Sequence, residues 1–134
     1  VNLDDLSRLE SLCFPDPWTR EMLEGSVARP DSIVIFRKIN EQISAYLLAT
    51  SSENGIELLR IGVAPSGRRL GLAKSMIMEL VAMSQRILLE VSDSNRAAIS
   101  LYLGCGFKEI ARRKRYYADG SDCIVMQLEK RSGF

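Results

Sequence analysis

The chain has no histidine, and among its 134 residues only three are cysteine, four are proline and one is tryptophan. Without histidine, Ser-His-Asp and Cys-His catalysis are excluded. Any general base must be a carboxylate, a tyrosine, a lysine or a chain of waters. Cys13, Cys105 and Cys123 are odd in number and widely spaced. They fit neither a paired disulfide framework nor zinc-ligand spacing, so no metal is expected and a reducing cytosol is the simplest setting. Charge of one sign is also lacking: the net charge of +1 gives no whole-molecule attraction to nucleic acid or an anionic membrane. No apolar run reaches the length of a membrane span, and the start of the chain lacks the basic and apolar regions of a signal peptide. The expected location is the cytoplasm. The first residue is Val1 and not Met, which reads as a trimmed or processed form.

What is present is an ordinary globular composition, 46% apolar and 26% charged, in one domain spanning residues 1–134. There are no internal repeats, low-complexity tracts or linkers. Leu3, Leu6, Leu9 and Leu12, with Asp4, Asp5, Arg8 and Glu10 between them, predict an amphipathic helix over 3–12. Phe14-Pro15-Asp16-Pro17-Trp18 breaks it, and Thr19 is a plausible N-cap for a short helix over 20–27. Strands are predicted over 33–38, 43–50 and 56–63, separated by polar turns. Leu72, Met76, Ile77, Leu80, Val81 and Met83 predict a well-buried helix running to about Ser84. A strand over 87–91, a helix over 95–103 ended by Gly104-Cys105-Gly106, and strands over 107–113 and 123–128 complete the chain. The order α-α-β-β-β-α-β-α-β-β predicts a mixed α/β (α+β) fold, a twisted sheet of about six or seven strands flanked by helices. The join at Ser84-Gln85-Arg86 is short for a helix-to-strand connection and has no turn glycine.

The most informative stretch is Arg68-Arg69-Leu70-Gly71-Leu72-Ala73, standing between an apolar strand and a helix. A basic, glycine-containing turn at a helix start presents free backbone N–H groups and a positive helix end to an anion. N–H groups from about Arg69 to Lys74 can donate there, and Arg68, Arg69 and Lys74 supply charge. A solvated basic turn that caps the helix is the plainer alternative. Glu90 interrupts the apolar strand Ile87-Leu88-Leu89-Glu90-Val91. Buried or half-buried there, its carboxyl would be costly and its pKa would tend to rise, as suits a general base. A residue facing solvent on the polar side of the sheet is the alternative.

The loop resembles the pyrophosphate-binding Arg/Gln-x-x-Gly-x-Gly/Ala pattern of the GNAT superfamily of N-acetyltransferases. Leu89-Glu90-Val91, Ser94-Asn95-Arg96-Ala97-Ala98, Leu101-Tyr102 and Gly106-Phe107 match the second half of such a domain in order and spacing. Arg112-Arg113-Lys114-Arg115-Tyr116-Tyr117, then Asp122 and Ile124-Val125-Met126, with Phe14-Pro15 and Trp18, resemble the branch that acetylates protein N-termini, most of all the ribosomal-protein alanine type.

The resemblance implies acetyl-coenzyme A as cosubstrate, its diphosphate on the Arg68–Lys74 loop and its pantetheine arm hydrogen-bonded by Asn95. It implies Glu90 as the base, with Glu57 on the preceding strand as the rival carboxylate. Tyr102 is implied to protonate the departing thiolate, and a backbone N–H near Ile61, Gly62 or Val63 to steady the oxyanion. Neighbouring strands are implied to splay apart around the coenzyme. Phe14, Pro15, Trp18, Tyr116 and Tyr117 are the candidates for the acceptor slot, since aromatic walls suit the first residues of an extended peptide. Phe14-Pro15-Asp16-Pro17-Trp18 has two residues more than the family's Phe-Pro-Trp. That leaves open which proline forms the wall. The expected partner is a protein N-terminus, a ribosomal protein among the candidates, with a monomer or weak dimer and no nucleic acid or membrane. A small-molecule amine or lysine side chain as acceptor, and a coenzyme-binding regulatory domain without catalysis, are the alternatives.

Overall fold

The computed structural model describes residues 2–130. Helix α1 (Leu3–Cys13) starts where the Asn2 side chain accepts from the Asp4 N–H at 2.8 Å. It stops where Phe14 turns extended, one residue before the first proline of the segment. Helix α2 (Arg20–Ala28) is capped by Thr19, whose hydroxyl accepts from the Met22 N–H at 3.2 Å. Strands β1 (Ser32–Ile39), β2 (Gln42–Ser52) and β3 (Gly55–Val63) follow, then helix α3 (Leu72–Val81) and strand β4 (Arg86–Ser92). Helix α4 (Arg96–Gly104) and strands β5 (Lys108–Arg113) and β6 (Cys123–Glu129) end the described fold. The order is the one the sequence predicts.

Six strands form one sheet in the order β1-β2-β3-β4-β6-β5. All neighbours are antiparallel except β3 and β4, which the α3 crossover makes parallel. Alternation along β2 sends Ala45, Leu47 and Ala49 to one face, under α3, and Tyr46 and Leu48 to the other, under α1 and α2. The larger core joins Met76, Ile77 and Leu80 of α3 to Tyr102 of α4, Phe107 and the inner residues of β2, β3, β4 and β6. The smaller holds Leu6, Leu9 and Leu23 against Tyr46, Leu48 and Ala64.

Most boundaries fall within two residues of expectation; the end of α3 and the buried face of α1 differ more. Helix α3 ends at Val81, three residues early, because Met83 N–H bonds back to Leu80 and the Ser84 hydroxyl then accepts from Arg86 N–H at 3.2 Å. That hydroxyl turn is how the chain makes the short helix-to-strand join. In α1 the three-residue leucine spacing drifts off the buried face: Leu12 is 48% exposed, whereas Glu10 is fully buried.

Candidate active site

The parallel pairing of β3 with β4 covers only Ile56–Leu58 against Ile87–Leu89. Beyond Leu58 and Leu89 the strands part, and the gap is a cleft lined by residues of both, with Asn95, Ala98 and Tyr102 of the α4 region, Phe14 and Tyr117. On its other edge β3 stays paired with β2 up to Val63. Ala64 N–H is spent on the Ser44 carbonyl at 2.8 Å, so alternation turns the Ile61 and Val63 N–H groups toward the open edge. Those are donors where an oxyanion could be met.

Three adjoining cavities run from this gap to the start of α3. The first shares Phe14, Ile61, Ala98 and Tyr102 with a second, which also touches Gly62 and Cys13. The second shares Val63, Arg68, Ala73 and Leu101 with a third, which reaches Arg69, Gly71, Leu72 and Lys74. A continuous trough therefore leads from the basic loop, past Tyr102, to Glu90.

At the loop end Arg69 and Gly71 take left-handed backbone, φ 67° and 74°. An added Cβ on Gly71 would meet no atom within 4 Å, so its φ, and not crowding, calls for glycine. Gly71 offers α3 no side-chain cap, and Ser75 N–H is the first to close a helical bond, onto Gly71. The N–H groups from Arg69 to Lys74 have no backbone acceptor among the described residues, and Arg68, Arg69 and Lys74 lie exposed around them. Orphan donors, a positive helix end and three cations fit a diphosphate.

At the other end, Tyr102 is 6% exposed and packs at 5.8 Å between ring centroids against Phe107. Burial pushes its phenol up to about 12. Asn95 caps α4, its Oδ1 accepting from the Ala98 N–H at 3.2 Å, and also lines the cleft.

Glu90 is not buried, contrary to expectation: its side chain is 37% exposed. The alternation of β4 turns Ile87, Leu89 and Val91 to the face covered by α3 and α4, and Glu90 to the opposite face. There it accepts from the Cys123 thiol at 3.2 Å and faces Arg113 Nη1 at 3.6 Å. Burial raises the Cys123 pKa, which keeps the thiol protonated as a donor. Glu57 shares a small neighbouring cavity with Glu90 and Arg113 but does not line the cleft that holds Tyr102.

Among the acceptor candidates, Phe14 and Tyr117 line the cleft; Pro15, Trp18 and Tyr116 do not. Tyr116 is 51% exposed and meets Tyr117 edge-on at 5.2 Å. Pro15 and Pro17 are both exposed. Trp18 packs on the smaller core. In the basic run, Arg112 is held by Asp93, Glu109 and Asp122, so that part is an ion-pair network and not a bare charged face.

Sequence reasoning missed one group. Glu10 accepts from Arg60 Nε at 3.0 Å, Arg60 Nη2 at 2.9 Å, Trp18 N–H at 2.7 Å and the Tyr46 hydroxyl. Burial opposes its charge, but the hydrogen bonds from Arg60, Tyr46 and Trp18 outweigh it and hold the carboxyl below its ordinary value. Arg60 lines the cleft and lays its guanidinium over the Phe14 ring at 3.7 Å and near the Trp18 ring at 5.1 Å. Arg60, one of two charges in the mostly apolar strand 56–63, was the available signal for its own part in the group, not for Glu10.

Residues 3–107 match the acetyltransferase (GNAT) family. The chain belongs to that family. It is an N-acetyltransferase, and acetyl-coenzyme A is the donor that GNAT enzymes use. An N-alpha-acetyltransferase from Sulfurisphaera tokodaii is 37% identical over 145 residues, covering 94% of this chain and 86% of that protein. An uncharacterised protein of Mycobacterium leprae is 30% identical over 138 residues, and there the chain spans only 38% of the relative's length. The crystal structure of the ribosomal-protein-S18-alanine N-acetyltransferase from Escherichia coli superposes with a TM-score of 0.89 at 26% identity, covering 98% of this chain and 90% of that one. The six-stranded sheet parted between β3 and β4 is thus the GNAT fold, with its helices on both faces.

Proposed function

We propose that this GNAT enzyme transfers an acetyl group from acetyl-coenzyme A to the N-terminal α-amine of a protein, in a direct ternary complex. The trough that joins the basic turn to the Tyr102–Glu90 end of the cleft carries the reading. Its basic end suits a donor's diphosphate, and its other end, between Phe14 and Tyr117, is open to an extended acceptor. The donor supplies a thioester acetyl carbon. Arg68, Arg69 and the N–H groups before Ser75 hold its diphosphate, and Asn95 and the open edge of β3 hold its arm.

The acceptor ammonium loses a proton toward Glu90, directly or through a water, since the carboxylate stands at the exposed lip of the cleft. The freed amine attacks the thioester carbonyl: the C–N bond forms, the C–S bond breaks, and the carbonyl oxygen is met by the Ile61 or Val63 N–H. The electron pair leaves on sulfur, where the Tyr102 phenol donates. A phenol pushed up to about 12 cannot hand its proton outright to a thiolate whose thiol titrates near 8.5 without a cost of about 5 kcal/mol. Tyr102 therefore acts chiefly as a hydrogen-bond donor, and the sulfur regains a proton as the product amide sheds its own. Most of the acceleration comes from holding two reactants in line.

The acceptor class we favour begins with a small residue such as alanine. The likeness to the Escherichia coli enzyme named for that substrate supports it. Incubation with acetyl-coenzyme A and peptides beginning in Ala or Ser, read by mass spectrometry, tests the reading. Acetylation of a free metabolite amine with peptides untouched would move the acceptor class; tight coenzyme binding with no thiol released would leave a regulatory domain.

A further inference from the structure

Residues 14–18 carry two prolines and belong to no helix or strand, yet Phe14 at their head forms part of one wall of the cleft, beside Arg60. Among the described residues, every hydrogen bond they make goes to Glu10 or Arg60. Phe14 N–H donates to the Glu10 carbonyl at 3.0 Å, Trp18 N–H to its carboxylate at 2.7 Å, and Arg60 Nη2 reaches the Asp16 carbonyl at 3.4 Å. The Phe14 ring lies under the same guanidinium. Removing two charges from water to make such a pair costs several kcal/mol per ion, so a buried pair is a poor source of net stability. Its geometry is better explained by what it fixes. Nη1 of Arg60 has no hydrogen-bond partner among the described residues, while Nε and Nη2 are clamped by Glu10.

We propose that Glu10 is a positioning residue for the acceptor: through Arg60 and the Trp18 N–H it locks the 14–18 segment, and so fixes the Phe14 ring and Arg60 as the wall of the slot. This rests on the peptide-acceptor reading above. Tyr46 completes the lock from β2, inside the smaller core, so the wall is braced against the sheet and not against the coenzyme loop.

Two readouts test it. Trp18 is the chain's single tryptophan, so its emission reports on the segment with no acceptor present. Glu10→Gln should shift that emission to the red and increase quenching by iodide. For an Ala-initiated peptide the same variant should raise KM about tenfold, with kcat and coenzyme affinity within about twofold of the parent. Arg60→Lys should not rescue KM, because an ammonium offers neither the fork nor the stacking plane. The double variant Glu10→Gln, Arg60→Met removes the uncompensated charge and should recover melting temperature while KM stays raised. A folded double variant with parental KM, or an unmoved Trp18 signal in Glu10→Gln, overturns the inference. Peptides untouched by the parent enzyme overturn the acceptor reading instead, and the Trp18 signal still judges the clamp.

Discussion

The Cys123 thiol points its hydrogen at the Glu90 carboxylate across 3.2 Å, from the neighbouring strand β6. Cys123 is fully buried, and its register partner on β4 is Ser92, two residues from Glu90. Together with Arg113 it fixes the orientation of a carboxylate that stands at the solvent-facing lip of the cleft. An exposed base that is oriented by its neighbours can trade protons with water quickly, which suits an acceptor that arrives as an ammonium.

Glu90→Gln should therefore lower kcat by roughly 10²–10⁴-fold, the usual reach of general base catalysis, and leave coenzyme affinity nearly intact. Steady-state kinetics with a peptide acceptor and calorimetry with coenzyme separate the two effects. An unchanged kcat would pass the role to a water or to Glu57, although Glu57 lies outside the cleft that contains Tyr102.

Gly71→Glu should abolish coenzyme binding, since it places a carboxylate at the uncapped start of α3 among donors meant for a diphosphate. Gly71→Ala tests the backbone alone. At a φ of 74° the added Cβ meets no neighbour within 4 Å, so the cost should be conformational, about 1–2 kcal/mol in denaturant unfolding. Coenzyme affinity in Gly71→Ala should drop far less than in Gly71→Glu; equal losses would mean that the loop needs glycine for shape and not for anion contact.

Gly62→Ala should be destabilising for a different reason. Its Cβ would stand 2.9 Å from the Tyr46 ring and 3.1 Å from the Cys13 sulfur, where α1 and β2 press on β3. Overpacking there should cost about 1–3 kcal/mol, read as a lower denaturation midpoint.

Stability should fall at both ends of the pH scale, for named reasons. Glu10 has its carboxyl lowered below 4.5 in the fold, so its contribution is complete above that value and is lost as pH drops through the lowered one. The melting temperature of the parent should fall more steeply than that of Glu10→Gln between about pH 5 and pH 3. Tyr102 is raised from 10.0 to about 12, so its contribution is complete below pH 10 and is lost as pH rises through 12. Tyr46 and Tyr117 are raised as well, so Tyr102→Phe should lessen that alkaline loss without abolishing it, and phenolate absorbance should show one late-titrating tyrosine fewer in the variant.

The element order was legible because each boundary has a local cause. Thr19 and Asn95 carry capping oxygens, Pro15 and Pro17 end α1, and glycine at 71 suits φ near 74° with no side-chain cap. The parting of β3 from β4 was legible only through family likeness. Pairing that stops at Leu58 has no mark in the residues that follow. The exposure of Glu90 was within reach, since period-two alternation with Leu89 and Val91 already sends it to the opposite face. Glu10 was not. In an amphipathic helix a glutamate reads as solvated, and its partner Arg60 lies fifty residues away, brought near only by sheet register and helix packing.

The most direct measurement uses two forms of one Ala-initiated peptide containing a single lysine, the first with a free α-amine and the second with that amine blocked. Each is incubated with acetyl-coenzyme A and enzyme, and the acetylated position is read by fragment mass spectrometry. One acetyl group on the α-amine of the first peptide, and none on the second, is the expected result. Lysine acetylation in both, or acetylation of neither peptide alongside thiol release on a free amine, would contradict an enzyme of protein N-termini.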